Sequence, residues 1–461
     1  MSSVPYLPAV GAASTLPLLA GELDRILAWR DGCAVTAAQF LTHVQVVADS
    51  LPAAAAVVNL CNDRYVFMVA FCAAAVREQI TLLPSSRAPQ AVEDVMRAHP
   101  GCYALGEQAL DCAPSGYRRM PPLQAMPAAA PGAVPQIAAE QVVAIGYTSG
   151  STGVPNASAK TWRSLYASNA GNLAMLQAQV PGAFAILATV PPQHMYGLET
   201  SVLLPLLGSH SVHAGRPFFP ADVAQTLAQL PVPRVLVSTP VHLRALVESG
   251  VALPPLAAML SATAPLPLAL ARAAEQRFNA PLREVFGSTE TCVFASRRPT
   301  VSEDWQLFTG VTLQPQPDGT LVHAPQLDSG VTLADLVTVA ADGSTFQLCG
   351  RRADLLEIAG KRASLGDLTR RLLAIPGVSD GVVFQLEACD GLGVQRIAAV
   401  AVAPGLDEST IIEALRCAID PVFLPRPLRL LATLPRNETG KLPRAALLAL
   451  IAGEPATGGG E

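Results

Sequence analysis

The stretch "AAAAVVNLCNDRYVFMVAFCAAAVREQITLLPSS", residues 53–86, restricts the fold most. It is apolar almost without interruption and lacks the in–out alternation of a strand with one face in water. It reads as a buried strand, a helix and a second buried strand. "AIGYTSG" is a short β run ending in a glycine loop, and "AFAILATVPP" and "VPRVLVSTP" are further buried strands, each followed by a helical pattern such as "VHLRALVESG". Strands that alternate with helices in this way imply parallel sheets covered by helices on both faces, an α/β architecture. The longest unbroken apolar run, Val66 to Val76, is too short to span a bilayer and reads as a core segment. No integral membrane segment is therefore expected.

The texture changes near residue 350. "FQLCGRRADLLEIAGKRASLGDLTRRLLAIPGVSDGVVF" reads as strand, turn, strand, helix, strand. The cut predicts a large N-terminal domain over 1–350 and a small, compact α+β C-terminal domain over 351–461. The Pro/Ala-rich segment 125–140 reads as a surface connection. No internal repeat is visible.

Composition excludes several function classes. Of 461 residues, 51% are apolar and 15% charged, a folded composition. A net charge of −5 is too small and of the wrong sign for non-specific nucleic-acid binding. Nine cysteines without a C-x-x-C pair read as reduced thiols, neither a disulfide frame nor a zinc site. The N-terminus lacks the basic region of a signal peptide, so a cytoplasmic location is expected.

Of 31 basic residues only three are lysine, namely Lys160, Lys361 and Lys441. Codon bias explains the scarcity. It does not explain why each lies in a motif-like stretch, where a compact and mobile point charge does work that arginine does not copy. The first stretch is the loop Thr148-Ser149-Gly150-Ser151-Thr152-Gly153, after a strand. Glycines let backbone N–H groups approach phosphate and the hydroxyls add donors. The run also reads as a polar turn. It is neither a Walker A loop, lacking Gly-Lys-Ser/Thr, nor a G-x-S-x-G nucleophile elbow.

Phe286-Gly287-Ser288-Thr289-Glu290 places a carboxylate where Mg²⁺ could be held with phosphate oxygens. His194, Tyr196 and Gly197 sit together in "PQHMYGLE", where a histidine is also compatible with plain packing. Asp335 interrupts the apolar run "LADLV" and needs a partner, a ligand hydroxyl or an arginine. "GRRADLLEIAGKR" and "LPRNETGKLPR" carry the other two lysines.

In their order along residues 55–450, these motifs resemble the adenylate-forming superfamily. That group includes acyl-CoA synthetases, aryl-acid ligases and adenylation domains of peptide synthetases. "VVNLCNDRYVFMVAF" and "STGVPNASAKTW" look most like stand-alone ligases of aryl-polyene and xanthomonadin-type pigment clusters.

The resemblance implies a role for each matching position. Thr148 to Gly153 would hold the ATP β- and γ-phosphates, and Phe286 would lie near the adenine. Thr289 would touch the α-phosphate and Glu290 bind Mg²⁺. Asp335 would accept from the ribose hydroxyls beside Arg351. Lys441 matches the catalytic lysine, on a C-terminal domain that would be mobile, and His194 the gate between acyl pocket and thiol tunnel. Ser261, Ala262, Thr263 and Ala264, in "SATAPL", match the wall of the acyl pocket.

Two positions depart from the family pattern. Asn156-Ala157 stands where P-K-G is common, and Ala353 precedes Asp354 where the hinge commonly reads G-R-x-D-D. Lys160 is the candidate to replace the missing loop lysine.

The implied reaction joins a small carboxylic acid, hydroxybenzoate-like by resemblance, to a thiol at the expense of ATP. No G-G-D-S-type attachment motif is present, so the thiol is expected on another molecule, the phosphopantetheine of an acyl carrier protein or coenzyme A. A degenerate nucleotide-binding homologue is the alternative favoured by Asn156 and Ala353. A serine hydrolase lacks both elbow and His/Asp pattern.

Overall fold

The computed structural model describes residues 14–110, 112–123, 133–148, 156–317, 319–351, 355–358, 361–389, 395–436 and 442–452. Residues 53–86 fold as Ala56–Asn59, a strand; Arg64–Val76, a helix; and Ile80–Leu83, a strand parallel to the first. Asp63 caps this helix, its carboxylate accepting from the Val66 amide. The helix is buried on every side, which its unbroken apolar sequence requires.

Two large sheets organise the described residues up to 351. One has six strands in the order Asn156–Thr161, Val142–Thr148, Ile80–Leu83, Ala56–Asn59, Tyr103–Gly106, Tyr117–Arg119. The other has eleven. Its parallel centre runs Leu282–Ser288, Ala258–Ser261, Arg234–Ser238, Ala185–Ala188, Ser211–His213, Ile26–Arg30. The main core fills the space around the Arg64–Val76 and Trp162–Gln177 helices and takes residues from both sheets.

The α/β expectation holds, but the sheets are mixed rather than parallel throughout. Antiparallel strands close the flanks: Asn156–Thr161 on the smaller sheet, and Cys292–Arg297, Trp305–Leu307, Thr345–Arg351, Asp335–Val339 and Cys33–Thr36 on the larger. Ile26–Arg30 and Cys33–Thr36 are joined by two residues, a connection that only antiparallel neighbours allow. Asp31 and Gly32, both at positive φ, make this turn.

Two local expectations change. Segment 125–140 is not wholly a connection, because Gln136–Ala138 pairs with Thr15–Pro17 and puts Ile137 in the core. Between Thr345–Arg351 and the Leu365–Leu373 helix lies a hairpin, Leu355–Ile358 with Lys361–Ser364, whose second arm was not foreseen. Beyond it, the three-stranded sheet Asp380–Cys389, Gln395–Val402, Leu428–Leu430 packs with the helices Leu365–Leu373, Glu408–Ala418 and Arg444–Ala452. Two apolar clusters there draw only on residues after 362.

Candidate active site

The site residues gather at the carboxyl ends of the parallel strands, where open α/β sheets bind ligands. The strand Val142–Thr148 ends on Thr148, and Asn156–Thr161 returns antiparallel with Asn156 opposite Thr148. Residues Ser149 to Gly153 of the glycine/hydroxyl loop lie outside the described residues.

Alternate positions of this ribbon share one face, so Gly146, Thr148 and Lys160 point to the same side. All three meet the turn after Leu282–Ser288. The Thr148 hydroxyl donates to Glu290 Oε1 at 3.3 Å. Gly146 leaves room for Thr289, whose Cγ2 would lie 2.7 Å from an added Cβ. Lys160 Nζ donates to the Glu290 carbonyl oxygen at 2.6 Å. Lys160 is 3% exposed and lies within the strand Asn156–Thr161 instead of starting the following helix, which Thr161 caps. Its ammonium is thus engaged by the Glu290 backbone.

The same turn is held from the other side. Glu199, fully buried, accepts from the Val293 amide at 3.0 Å, from Asn172 Nδ2 at 3.3 Å and from the Ser168 hydroxyl. Burial pushes its carboxyl above the usual range, opposed by the Ser168 and Val293 hydrogen bonds and by the Lys160 charge. Ser288 and Thr291 close the turn on each other, and Gln326 donates to the Thr291 carbonyl at 3.0 Å. Gly287 is obligatory, since an added Cβ would fall 2.1 Å from the Cys292 carbonyl oxygen.

The sequence reading missed Glu199. The signal was present, for "LETSVLLPLL" buries a carboxylate in an apolar run as "LADLV" does with Asp335.

Phe286 packs against Phe294, Trp305 and Phe346 with ring centroids 5.4, 5.2 and 5.8 Å away, yet stays only half-buried. Asp335 begins its strand opposite Arg351, and its carbonyl accepts from the Thr320 hydroxyl at 2.6 Å. The side chain of Arg351 and all of Lys441, Ala353 and Asp354 lie outside the described residues.

A second group of residues meets around Ser238. His194 stands at the N-cap of the short helix Met195–Leu198. Gly197 there is closely faced by the chain, because a Cβ would sit 1.9 Å from the Pro191 carbonyl oxygen. The Tyr196 hydroxyl donates to the Ser238 carbonyl at 3.1 Å, and burial raises its pKa. Ser238 also meets the Thr189 hydroxyl, which lies 2.8 Å from His242 Nδ1. Burial and the Arg216 charge push His242 down to about 4, so its ring is neutral.

Ser238 is in register with Ser261 on the next parallel strand. Ser261 Oγ is buried with no hydrogen-bond partner among the described residues, a hydroxyl that a ligand oxygen can satisfy. Ala262 follows, then Thr263 at φ 81° and Ala264. The Leu266 amide anchors this loop on Glu284 Oε1 at 3.1 Å, and Arg297 holds Glu284 at 2.6 Å. Arg64 is the other unforeseen residue. Fully buried, it donates to the Ser201 hydroxyl and to the Ala188 and Val190 carbonyls at 2.9 and 2.8 Å, tying the strand end to the segment after Gly197.

No group of three or more His, Cys, Asp or Glu able to hold a metal occurs among the described residues. The donor set at Glu290 still suits Mg²⁺. One carboxylate sits beside the hydroxyl that ends the strand Val142–Thr148, and Mg²⁺ is held in nucleotide sites by one or two carboxylates with phosphate oxygens and water.

Comparison with known proteins identifies the family and the fold. A family model described as "AMP-binding enzyme" matches residues 33–318. The chain is 29% identical over 313 residues to 4-coumarate–CoA ligase of Halorhodospira halophila, covering 64% of this chain and 73% of that one. It is 31% identical over 117 residues to 3-hydroxybenzoate–CoA/4-hydroxybenzoate–CoA ligase of Thauera aromatica, covering 24% of this chain and 22% of that one. Its fold superposes with a TM-score of 0.76 and 18% identity on O-succinylbenzoate coenzyme A synthetase of Bacillus subtilis, in complex with ATP and magnesium ion. That match covers 92% of this chain and 96% of that one. A hydroxyl-rich strand end, a carboxylate turn braced against it and a family match over most of the large sheets lead to one statement: the chain belongs to the AMP-binding enzyme family.

Proposed function

We propose that the protein is an ATP-dependent, AMP-forming carboxylate ligase acting on a small, hydroxybenzoate-like aromatic acid, with an acyl carrier protein as acceptor. The observation that carries this reading is the convergence of Thr148, Thr289 and Glu290 at the ends of the strands Val142–Thr148 and Leu282–Ser288. Similarity to coumarate and hydroxybenzoate ligases supports an aromatic acid.

The first step needs no general base, because the acid is already a carboxylate. Its oxygen attacks the α-phosphorus of ATP, and pyrophosphate leaves with the electrons of the broken P–O bond. In the second step a thiolate attacks the acyl carbon and AMP leaves. The first step brings an anion against a polyanion, so preorganised positive charge lowers its barrier by several kcal/mol. Glu290 would hold Mg²⁺, which when bound neutralises phosphate charge. The loop from Thr148 to Gly153 would hold the β- and γ-phosphates, and Lys441 would bridge carboxylate and α-phosphate. Asp335, with Arg351, would hold the ribose. Lys441 belongs to the region after residue 350, whose separate apolar clusters support a small unit that rotates between the two steps.

The acceptor choice rests on a basic segment. Arg426 and Arg429 are exposed, whereas Arg436 is tied to Asp380 at 2.7 Å. Exposed cations suit an acidic carrier, raising its association rate and selecting it. Coenzyme A is the second reading, favoured by the CoA ligases among the relatives. Single-turnover transfer from preformed acyl-adenylate to carrier protein and to coenzyme A decides between them. Carrier loading is expected; transfer to coenzyme A alone would make the protein an aryl-CoA synthetase, and no pyrophosphate release with any acid would leave a nucleotide-binding homologue.

A further inference from the structure

We propose that Lys160 and Glu199 form a buried clamp of opposite charges that positions the Thr289–Glu290 turn, so that Lys160 acts on the ATP site through Glu290 and not by touching phosphate. The clamp rests on the ligase reading only for its consequence, not for its existence.

The backbone polarity of the turn matches the two charges. The cation meets a carbonyl: Lys160 Nζ lies 2.6 Å from Glu290 O. The anion meets an amide: both Glu199 oxygens lie within reach of the Val293 N–H, at 3.0 and 3.2 Å. Hydrogen bonds to ionised groups are shorter and stronger than neutral ones. Both side chains are withdrawn from water, at 3% and 1% exposure, so an isolated charge at either place would be costly.

Between the two contacts the chain turns sharply, with Cys292 at φ 59° and its buried side chain beside both Lys160 and Glu199. The bracing elements are the phosphate-loop ribbon and the segment that follows His194. Both functional motifs therefore fix the backbone that carries Glu290. Lys160 reaches this backbone from the ribbon face that also bears Thr148 and Gly146, which touch the turn themselves.

Lysine suits the task. A slim stem crosses the packed ribbon and ends in a compact charge, whereas the wide guanidinium needs a forked partner. This chain uses arginine nearly everywhere else and keeps lysine here.

The test uses the full chain with Lys160→Met, Glu199→Gln and both together, and two measurements. The first is amide hydrogen exchange of the ligand-free protein. Lys160→Met is expected to speed exchange across residues 287–293 about tenfold or more, with strand Ala258–Ser261 unchanged. The second is ATP binding by calorimetry with and without Mg²⁺. Lys160→Met is expected to weaken binding mainly when Mg²⁺ is present, because Glu290 is displaced while the phosphate loop is not.

Glu199→Gln keeps the shape and is expected to shift both readouts less, in the same direction. The double variant is expected to be less damaged than the sum of the two, since no unpaired buried charge remains. If Lys160→Met does not fold, Glu199→Gln carries the test on the same two readouts. Unchanged exchange over 287–293 overturns the clamp. So does an equal loss of ATP affinity with and without Mg²⁺, which would put Lys160 on the phosphates. If the unaltered protein binds no ATP at all, the ligase reading fails, and the exchange result still decides the clamp.

Discussion

Single residues carry the chemistry unequally. Lys441→Ala is expected to abolish adenylation and leave ATP binding largely intact, because the proposed mechanism has it act in the transition state. Loss of one such cation costs ~3 kcal/mol or more, ~10²-fold in rate and upward. Near-normal pyrophosphate exchange by that variant contradicts the assignment. Glu290→Gln keeps the hydrogen bond from Thr148 but removes the charge. Its half-saturating Mg²⁺ concentration is expected to rise about tenfold or more in a metal titration of activity. Gly197→Ala has a purely steric outcome. The added Cβ would collide with the Pro191 carbonyl 1.9 Å away, so the thermal midpoint should fall by an amount equivalent to roughly 1–3 kcal/mol. An unchanged midpoint would mean that the backbone yields there.

At the scale of elements, much of the architecture was legible because burial on both faces writes itself as unbroken apolar sequence. Residues 53–86 are the clearest example, and the strand preceding the glycine loop is another. What escaped has physical causes. Strand direction is not written in strand composition, so the antiparallel flanks carry no periodic mark. The Lys361–Ser364 strand is polar and short, and the Gln136–Ala138 strand hides in a Pro/Ala-rich segment but pairs with Thr15–Pro17.

The candidate site was read from motifs, and among the described residues Thr148, Lys160, Thr289 and Glu290 come together. Its supporting residues were not, because Glu199, Arg64 and Glu284 meet their partners only in three dimensions. The Leu428–Leu430 strand and the turn before it bear the exposed Arg426 and Arg429. Arg426→Glu with Arg429→Glu is expected to slow transfer to a carrier protein, most at low salt, and to spare adenylate formation. Equal transfer rates at all salt concentrations would remove this surface from the carrier interface.

The molecule as a whole has a large mixed-sheet region up to residue 351 and, after residue 362, two further apolar clusters of its own. Among the described residues, no helix is long and apolar enough to cross a membrane. The missing loop lysine at Asn156 does not by itself predict an inactive protein, because the charged support of the site reaches Glu290 from Lys160 by another route. A catalytic chain and a degenerate one differ in one property, reversible acyl-adenylate formation. ATP–pyrophosphate exchange with hydroxybenzoates, cinnamates and fatty acids side by side measures it directly. The account predicts Mg²⁺-dependent exchange that requires an acid and is fastest with a hydroxybenzoate. Absence of exchange with every acid, in protein shown to bind ATP, would contradict it.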